Sequence, residues 1–329
     1  MENKIGKYIK YAIGEIILVV IGILIAVGIN GWYNASKNEE KIRNILIQAQ
    51  QNLLVDIKDA SRIFNRFIEI DSLSRNILTD SVSVETELQA IDINVGYVDF
   101  NTNKSAFQQL VNNLENMPKK YAALFPEFAE IYEVLQSDID AGNANLIAVA
   151  QDSKFDRIYT DPKFSEYYMG KYSKKEYVAY ILSDPFLKNK TIKYAESFAR
   201  VASGANRFRE LGTSLYKKID SLLGNQITQY PDLLRILPNE EIMHPYLGDY
   251  EWVGGTGIAP EVSISIENGQ LVTHVQGVGS LPTNWKKGSY FYNRGSIIRF
   301  YVNKKGQHFR ERTDGIFNQI WMNKRDLDL

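Results

Sequence analysis

The chain has 329 residues, 44% hydrophobic and 23% charged, which excludes wholesale disorder and fits roughly two domains. Lysine and arginine number 38 against 39 acidic residues, a net charge of -1, so no global field recruits nucleic acid and any charge argument is local. Cysteine is absent, which excludes disulfides, thiolate metal sites, a cysteine nucleophile and a lipoprotein anchor; it suits an oxidising compartment without proving one.

The first element is apolar. From Ile16 to Ile29 no residue is polar, and tolerable flanks extend the run to Ala12 and Trp32. A membrane-spanning helix needs about 20 such residues. Lys4, Lys7 and Lys10 precede the run, and Lys37, Lys41 and Arg43 follow it, so the basic flanks tie. The short basic head breaks the tie, because a short tail stays inside while a long body is translocated. Tyr8, Tyr11, Trp32 and Tyr33 stand where interfacial aromatic belts stand. The rival is a signal peptide cleaved after Ala26-Val27-Gly28. The apolar run continues to that cut and Gly31-Trp32-Tyr33 then reads as a membrane exit, so an anchor is expected.

Lys10-Tyr11, Gly14-Glu15-Ile16, Leu18 to Ala26 and Asn30-x-Trp32 together resemble the signature of a family of bacterial single-span membrane proteins, best represented in Bacteroidota. Gly31 between the asparagine and the tryptophan departs slightly from that pattern. The likeness continues weakly into Asn103 to Leu110 and Ser183 to Phe186. The family name carries no biochemical activity, so the resemblance implies location and fold only.

After the anchor, Ile42, Leu46, Ala49, Leu53, Ile57, Ala60, Phe64 and Phe67 recur at three- and four-residue steps, one helical stripe ending near Thr79. Continuous with the span, it would project about 50–60 Å from the membrane. Asp80 to Thr102 reads as loop. Helices follow from about Lys104 to Met117 and from Pro118 to about Gln151, with an interruption expected near Gly142. Ser183-Asp184-Pro185 is a helix-start signal for a stripe of Phe198, Val201, Ala205, Phe208, Leu215, Ile219 and Leu222, closing at Gly224. Two long stripes at near-heptad spacing imply an antiparallel bundle or a coiled-coil-like body.

From Tyr246 the pattern changes to period-two alternation. Glu261–Ile266 and Gln270–Gln276 flank Asn268-Gly269, a strong hairpin signal, and further strands read at 290–292, 297–302, 308–312 and 317–322. This predicts a small antiparallel sheet or barrel. Tyr246-x-Gly248-x-Tyr250, Asn268-Gly269-x-Leu271, Phe291, Phe300 and Gly306 make it similar to the β module that trails serine hydrolases of the β-lactamase-like type. The whole is α+β, divided as a cytoplasmic tail 1–11, a transmembrane helix 12–33, a helical extracytoplasmic domain 34–237 and a β module 238–329.

No catalytic constellation, metal set or cofactor motif stands out. Ser214-x-x-Lys217 matches the Ser-x-x-Lys pattern but lies mid-helix with no Lys-Thr-Gly partner strand. His244, His274 and His308 are too dispersed for a metal pair and read as turn or surface residues. Gly254-Gly255-Thr256-Gly257 reads as a loop, because no helix follows to receive phosphate. Glu15 is a functional candidate as an ionisable group at the edge of hydrocarbon, against the alternative that it snorkels to a neighbouring lysine. Gly14, Gly22 and Ala26 form a small-residue seam for helix association, weakened by Leu18. In the β module Lys286, Lys287, Lys304, Lys305, Arg310 and Arg312 are candidate contacts to anionic lipid or acidic polymer, or simply solvated strand faces.

The expected protein is thus a scaffold or binding protein of the bacterial inner membrane with a periplasmic body. Its expected partners are the bilayer and further copies or other envelope proteins, not nucleic acid. A tail of about eleven residues is too short to fold, so a cytoplasmic output would need a partner. The alternatives are a channel or energy-coupling component acting through Glu15, and an envelope enzyme. If the last helix packs antiparallel to the first, the short link at 224–238 should leave the β module beside the membrane end of the stalk.

Overall fold

The computed structural model describes residues 2–78, 97–184, 186–225, 227, 229–231, 234, 240–256, 258–293, 295–314 and 318–327. Helix α1 (Glu2–Leu78) runs unbroken for 77 residues, about 115 Å at 1.5 Å per residue. Its apolar side chains from Ile16 to Ile29 are exposed, and it is the helix among the described residues that is long and apolar enough to cross a membrane. From Ile42 to Phe67 the stripe expected from sequence is buried, every member included.

The chain passes along this stalk repeatedly. Helix α2 (Ser105–Val111) descends it, with Asn52 bonded to Ser105 and Lys41 to Asn113. Two short helices, α3 (Lys119–Ala122) and α4 (Phe125–Ala129), turn the corner. A π turn (Glu130–Leu135) leads into α5 (Gln136–Thr160), which climbs. The irregularity therefore falls at the π turn and not at Gly142, which continues α5. Both Gly142 and Gly204 are sites of close helix approach: a methyl group would lie 3.7 Å from Val201 at the first and 3.1 Å from Ile139 at the second.

At the far tip come α6 (Phe164–Tyr168) and α7 (Lys174–Leu182), the latter opened by a Ser173/Glu176 capping box. Helix α8 (Leu187–Leu223) then descends antiparallel to α1. Phe198 stacks on Phe67 at the top, Gln50 bonds the carbonyl of Tyr216 midway, and Arg43 bonds that of Leu223 below. It starts two residues beyond the Ser-Asp-Pro signal: Asp184 accepts the Phe186 N–H, whereas Ser183 ends α7. Leu223 is buried at the foot in place of Leu222, and Gly224 stops the helix in a left-handed conformation at φ 96°.

After the short helix α9 (Glu240–Met243) the eight strands form a closed up-and-down barrel: β1 (Gly248–Gly255), β2 (Val262–Glu267), β3 (Gln270–Val275), β4 (Gly279–Lys287), β5 (Tyr290–Asn293), β6 (Ser296–Val302), β7 (His308–Thr313) and β8 (Asn318–Asn323). Asn268 and Gly269, at φ 51° and 72°, make the two-residue turn that sets the β2–β3 register. Two strands, β1 and β4, escape the period-two reading. The glycines read as a loop end β1: Gly255 pairs with Gln319, and a side chain there would meet the Asn318 carbonyl at 2.1 Å. Glycine lets β1 approach β8 closely enough to close the barrel. The expected boundary at Pro238 lies outside the described residues.

The barrel does not sit at the membrane end. Its outer wall packs on the far half of the stalk, Tyr290 edge-on to Phe64 and Phe67, with Ile297 in the same hydrophobic core. Antiparallel pairing of α1 and α8 is as expected, and α8 does end low. The described link residues Ile227, Tyr230 and Leu234 then pack against the helical core, and the chain regains height before the barrel begins. The physical reason is the apolar outer face of β5 and β6, which needs cover that Phe64 and Phe67 supply. The barrel contacts on α1, from Phe64 to Arg75, lie roughly 30–40 residues beyond Tyr33, about 45–60 Å along the helix.

Candidate functional site

Alternation along each strand sends one set of side chains into the barrel. Tyr250, Val262, Ile264, Leu271, Phe291, Ile298, Phe300 and Trp321 form its core. One end is capped by the segment before β1: Tyr246 stacks on Phe300 at 4.4 Å and meets Phe291 edge-on, and Tyr250 donates to the Tyr246 carbonyl. Beside Met243 in this cap a cavity of about 290 Å³ opens between the interior-facing Leu271, Thr283 and Trp285 and the polar Asn268, Gln270 and Asn284 at the β2–β3 turn and on β4.

Two arginines of β7 share the interior face. Arg312 is 40% exposed at the opposite end, where it bonds Ser296 and Gln319 and lies 3.6 Å from Asp314. Arg310 is 2% exposed, with its guanidinium 4.5 Å from the Trp321 ring centre. Its Nε and Nη1 have no hydrogen-bond partner, and neither has Nε1 of Trp252, which pairs with Trp321 across the β1–β8 seam. Burial, with the like charge of Arg312, pushes the Arg310 pKa down to about 9, so the group still carries its charge at neutral pH.

A second polar cluster lies where barrel meets stalk. Arg75 bridges Asp71 at 3.0 Å and Glu311 directly, Arg299 lies 3.8 Å from both carboxylates, and Tyr290 donates to Asp71 at 2.7 Å. Burial lowers the Arg75 pKa, but Glu311 and Asp71 outweigh it and the net direction is upward. Burial raises Glu311, with Arg75 opposing. Two cations against two anions make this a matched electrostatic clamp, and Ser203 donating to the Gly295 carbonyl adds a second attachment on α8.

The sequence candidates scatter. Lys286 is turned inward against Glu210 at 3.3 Å, its side chain 2% exposed and its pKa pushed down to about 8 by burial. Lys286 and Arg310 are therefore not surface contacts, because the register points them to the α8 interface and the barrel interior. Lys287, Lys304 and Lys305 are exposed, and Arg312 is half-buried. Glu15 and Ala26 are exposed on the bare part of α1, and a side chain at Gly22 would meet nothing within 4 Å. Gly14 lies one turn before Leu18 on the same helix. Ser214 is exposed, while the Lys217 ammonium lies over Tyr230. Among the described residues no cluster of histidine and carboxylates could hold a metal ion.

His244 is exposed in a one-turn helix and His308 bonds Asp326 at 3.0 Å. His274 belongs to a cluster that sequence reading missed. Its Nδ1 meets Ser280 at 2.9 Å, and its Nε2 meets Ser265 at 2.7 Å and Glu267 at 3.1 Å. The Asn268-Gly269 turn held the signal, since it sets Ser263 opposite His274 and places Ser265 two residues along. The constellation resembles a relay, with its members on the paired strands β2, β3 and β4.

At the far tip a groove of about 730 Å³ runs between Asp161, Tyr180, Phe186 and Lys193. Tyr168, Met169 and Phe186 are exposed there, an apolar surface of the kind that marks interaction sites. No protein-family model, no curated protein and no solved structure matches the chain.

Proposed function

We propose that the protein is an extracytoplasmic scaffold or binding protein, held in the inner membrane by the apolar part of α1 and belonging with the single-span family its anchor resembles. The barrel and the helical tip then form a head carried about 60 Å above the bilayer, facing envelope proteins or polymers. The observation that supports this reading is the clamp of Asp71, Arg75, Arg299 and Glu311, which fixes the barrel on the stalk far from the apolar segment. A rigid stalk with a docked module suits presentation at a set height.

The cysteine-free chain allows a clean test. Single cysteines at Lys4 and Lys305 are treated with a membrane-impermeant maleimide in cells whose outer membrane is permeabilised. Lys305→Cys should label while the inner membrane is intact and Lys4→Cys only after lysis; the reverse pattern refutes the orientation. A photo-crosslinking residue at Phe186 or Val278, both exposed on the head, should give adducts with other envelope components. Adducts confined to a probe at Gly22 would refute the scaffold and support the alternative, a coupling component working through Glu15.

A further inference from the structure

Three unpaired polar groups in the barrel interior are all donors: Nε and Nη1 of Arg310 and Nε1 of Trp252. Among the described residues no carboxylate faces the interior beside Arg310, and the cationic neighbour, Arg312, is already engaged with Ser296, Gln319 and Asp314. A buried guanidinium with two orphan edges is unfavourable unless something supplies charge and acceptors. A carboxylate brings two acceptors, no donor and the compensating charge.

The surroundings narrow the ligand further. Phe291 and Phe300 offer rings alone, and the polar atoms of Trp321 and Tyr250 are engaged with the Pro260 and Tyr246 carbonyls, so the rest of the ligand is apolar. The cavity beside Met243 is about 290 Å³, at the small end of ligand sites. Arg310 does not line that cavity; it reaches in from the β7 wall, while Leu271, Thr283 and Trp285 line it from the β3–β4 side. In a barrel of eight strands, side chains from opposite walls span the interior, which either fills or holds one small molecule.

We propose that the barrel binds a small apolar carboxylate, its head group on Arg310 and its body among the interior aromatic rings, entering beside Met243. This stands independently of where the chain resides in the cell. The cation–π contact with Trp321 orients the guanidinium and leaves the Nε and Nη1 hydrogens, which lie on different edges, for ligand oxygen.

The test uses the full chain in nanodiscs and two fluorine probes observed by 19F NMR, 4-fluorobenzoate and its neutral counterpart 4-fluorobenzamide. Wild-type protein should give saturable broadening with the benzoate and at least tenfold weaker binding of the amide. Arg310→Met should weaken benzoate binding at least tenfold, and Lys304→Met, an exposed control, should leave it unchanged. Should Arg310→Met fail to fold, Arg310→Lys retains the charge without the planar fork and should still bind several-fold more weakly. Independently of any variant, saturating benzoate should raise the melting temperature of the wild type and the amide should not. No saturable benzoate response in folded wild type, an equal response to the amide, or unchanged binding in a folded Arg310 variant would each overturn the proposal, leaving Arg310 as a packing partner of Trp321.

Discussion

Glu311→Gln is the sharpest probe of how the head is held. The substitution keeps shape and removes one negative charge from a cluster in which Arg75 and Arg299 share Glu311 and Asp71. Removing one partner of a buried pair costs about 3–5 kcal/mol, because the other charge stays desolvated. Glu311 is 6% exposed but Arg75 is 29% exposed and keeps Asp71, so the lower end, about 3 kcal/mol, is expected. Arg75→Met should cost a similar amount, and the double variant should fall short of the sum by about 2 kcal/mol, the coupling expected of neighbours in one network. Urea unfolding followed by fluorescence of the barrel tryptophans Trp252, Trp285 and Trp321 measures all four proteins. Single losses under about 0.5 kcal/mol with strict additivity would refute the clamp. Docking would then rest on Phe64, Phe67 and Tyr290 alone.

Asp56 carries a pH prediction. Burial raises its pKa to about 6, against a lowering bond from the Asn103 N–H and with a further rise from Asp59. A carboxyl that holds its proton more tightly folded than unfolded stabilises fully below its unfolded pKa, and that contribution is lost as pH climbs from about 4 to about 6. Asp56→Asn keeps an acceptor for Asn103 and should exceed wild type by up to about 3 kcal/mol at pH 7.5, with the gap closing near pH 4; parallel pH curves would show that Asp56 does not titrate there. Gly255→Ala should cost more than about 3 kcal/mol by prising β1 from β8, whereas Gly254→Ala, with nothing within 4 Å, should cost under 1 kcal/mol, both read from thermal melts. Glu15→Gln, which removes a titratable group with little change in volume, should leave assembly and envelope phenotype intact if the protein is a scaffold; loss of function with normal assembly would favour coupling.

Local chemistry made much of this architecture legible. A run from Ile16 to Ile29 without a polar residue admits few solutions, and the Ile42–Phe67 spacing can bury only as a helix. Asn268-Gly269 specifies a hairpin because both residues tolerate positive φ. Strands β1 and β4 were hidden for the same kind of reason: Gly254, Gly255, Gly279 and Pro282 are poor strand formers, tolerated where closure or bulges require them. Gly142 looked like a break because helix propensity is local, while its use, admitting Arg200 and Val201 of α8, is not.

Charge was the property that sequence could count but not place. Sequence groups Lys286, Lys287, Lys304, Lys305, Arg310 and Arg312 as candidate contacts or solvated strand faces, yet in a strand neighbouring positions face opposite ways. The fold sends Lys286 to Glu210 on α8, Arg299 to the Asp71 clamp and Arg310 into the barrel, leaving Lys287, Lys304 and Lys305 in solvent. The height of the barrel along the stalk was likewise beyond sequence. It depended on whether the apolar wall of β5 and β6 found cover low or high on the stalk, and Phe64 and Phe67 decided it by packing against Tyr290 across more than two hundred residues of chain. Sequence determined the span, the stalk and the strand-rich end, because each rests on the periodicity of neighbouring residues. Only the tertiary structure decided where those parts meet and which charges are buried between them, because both are properties of surfaces brought together from distant segments.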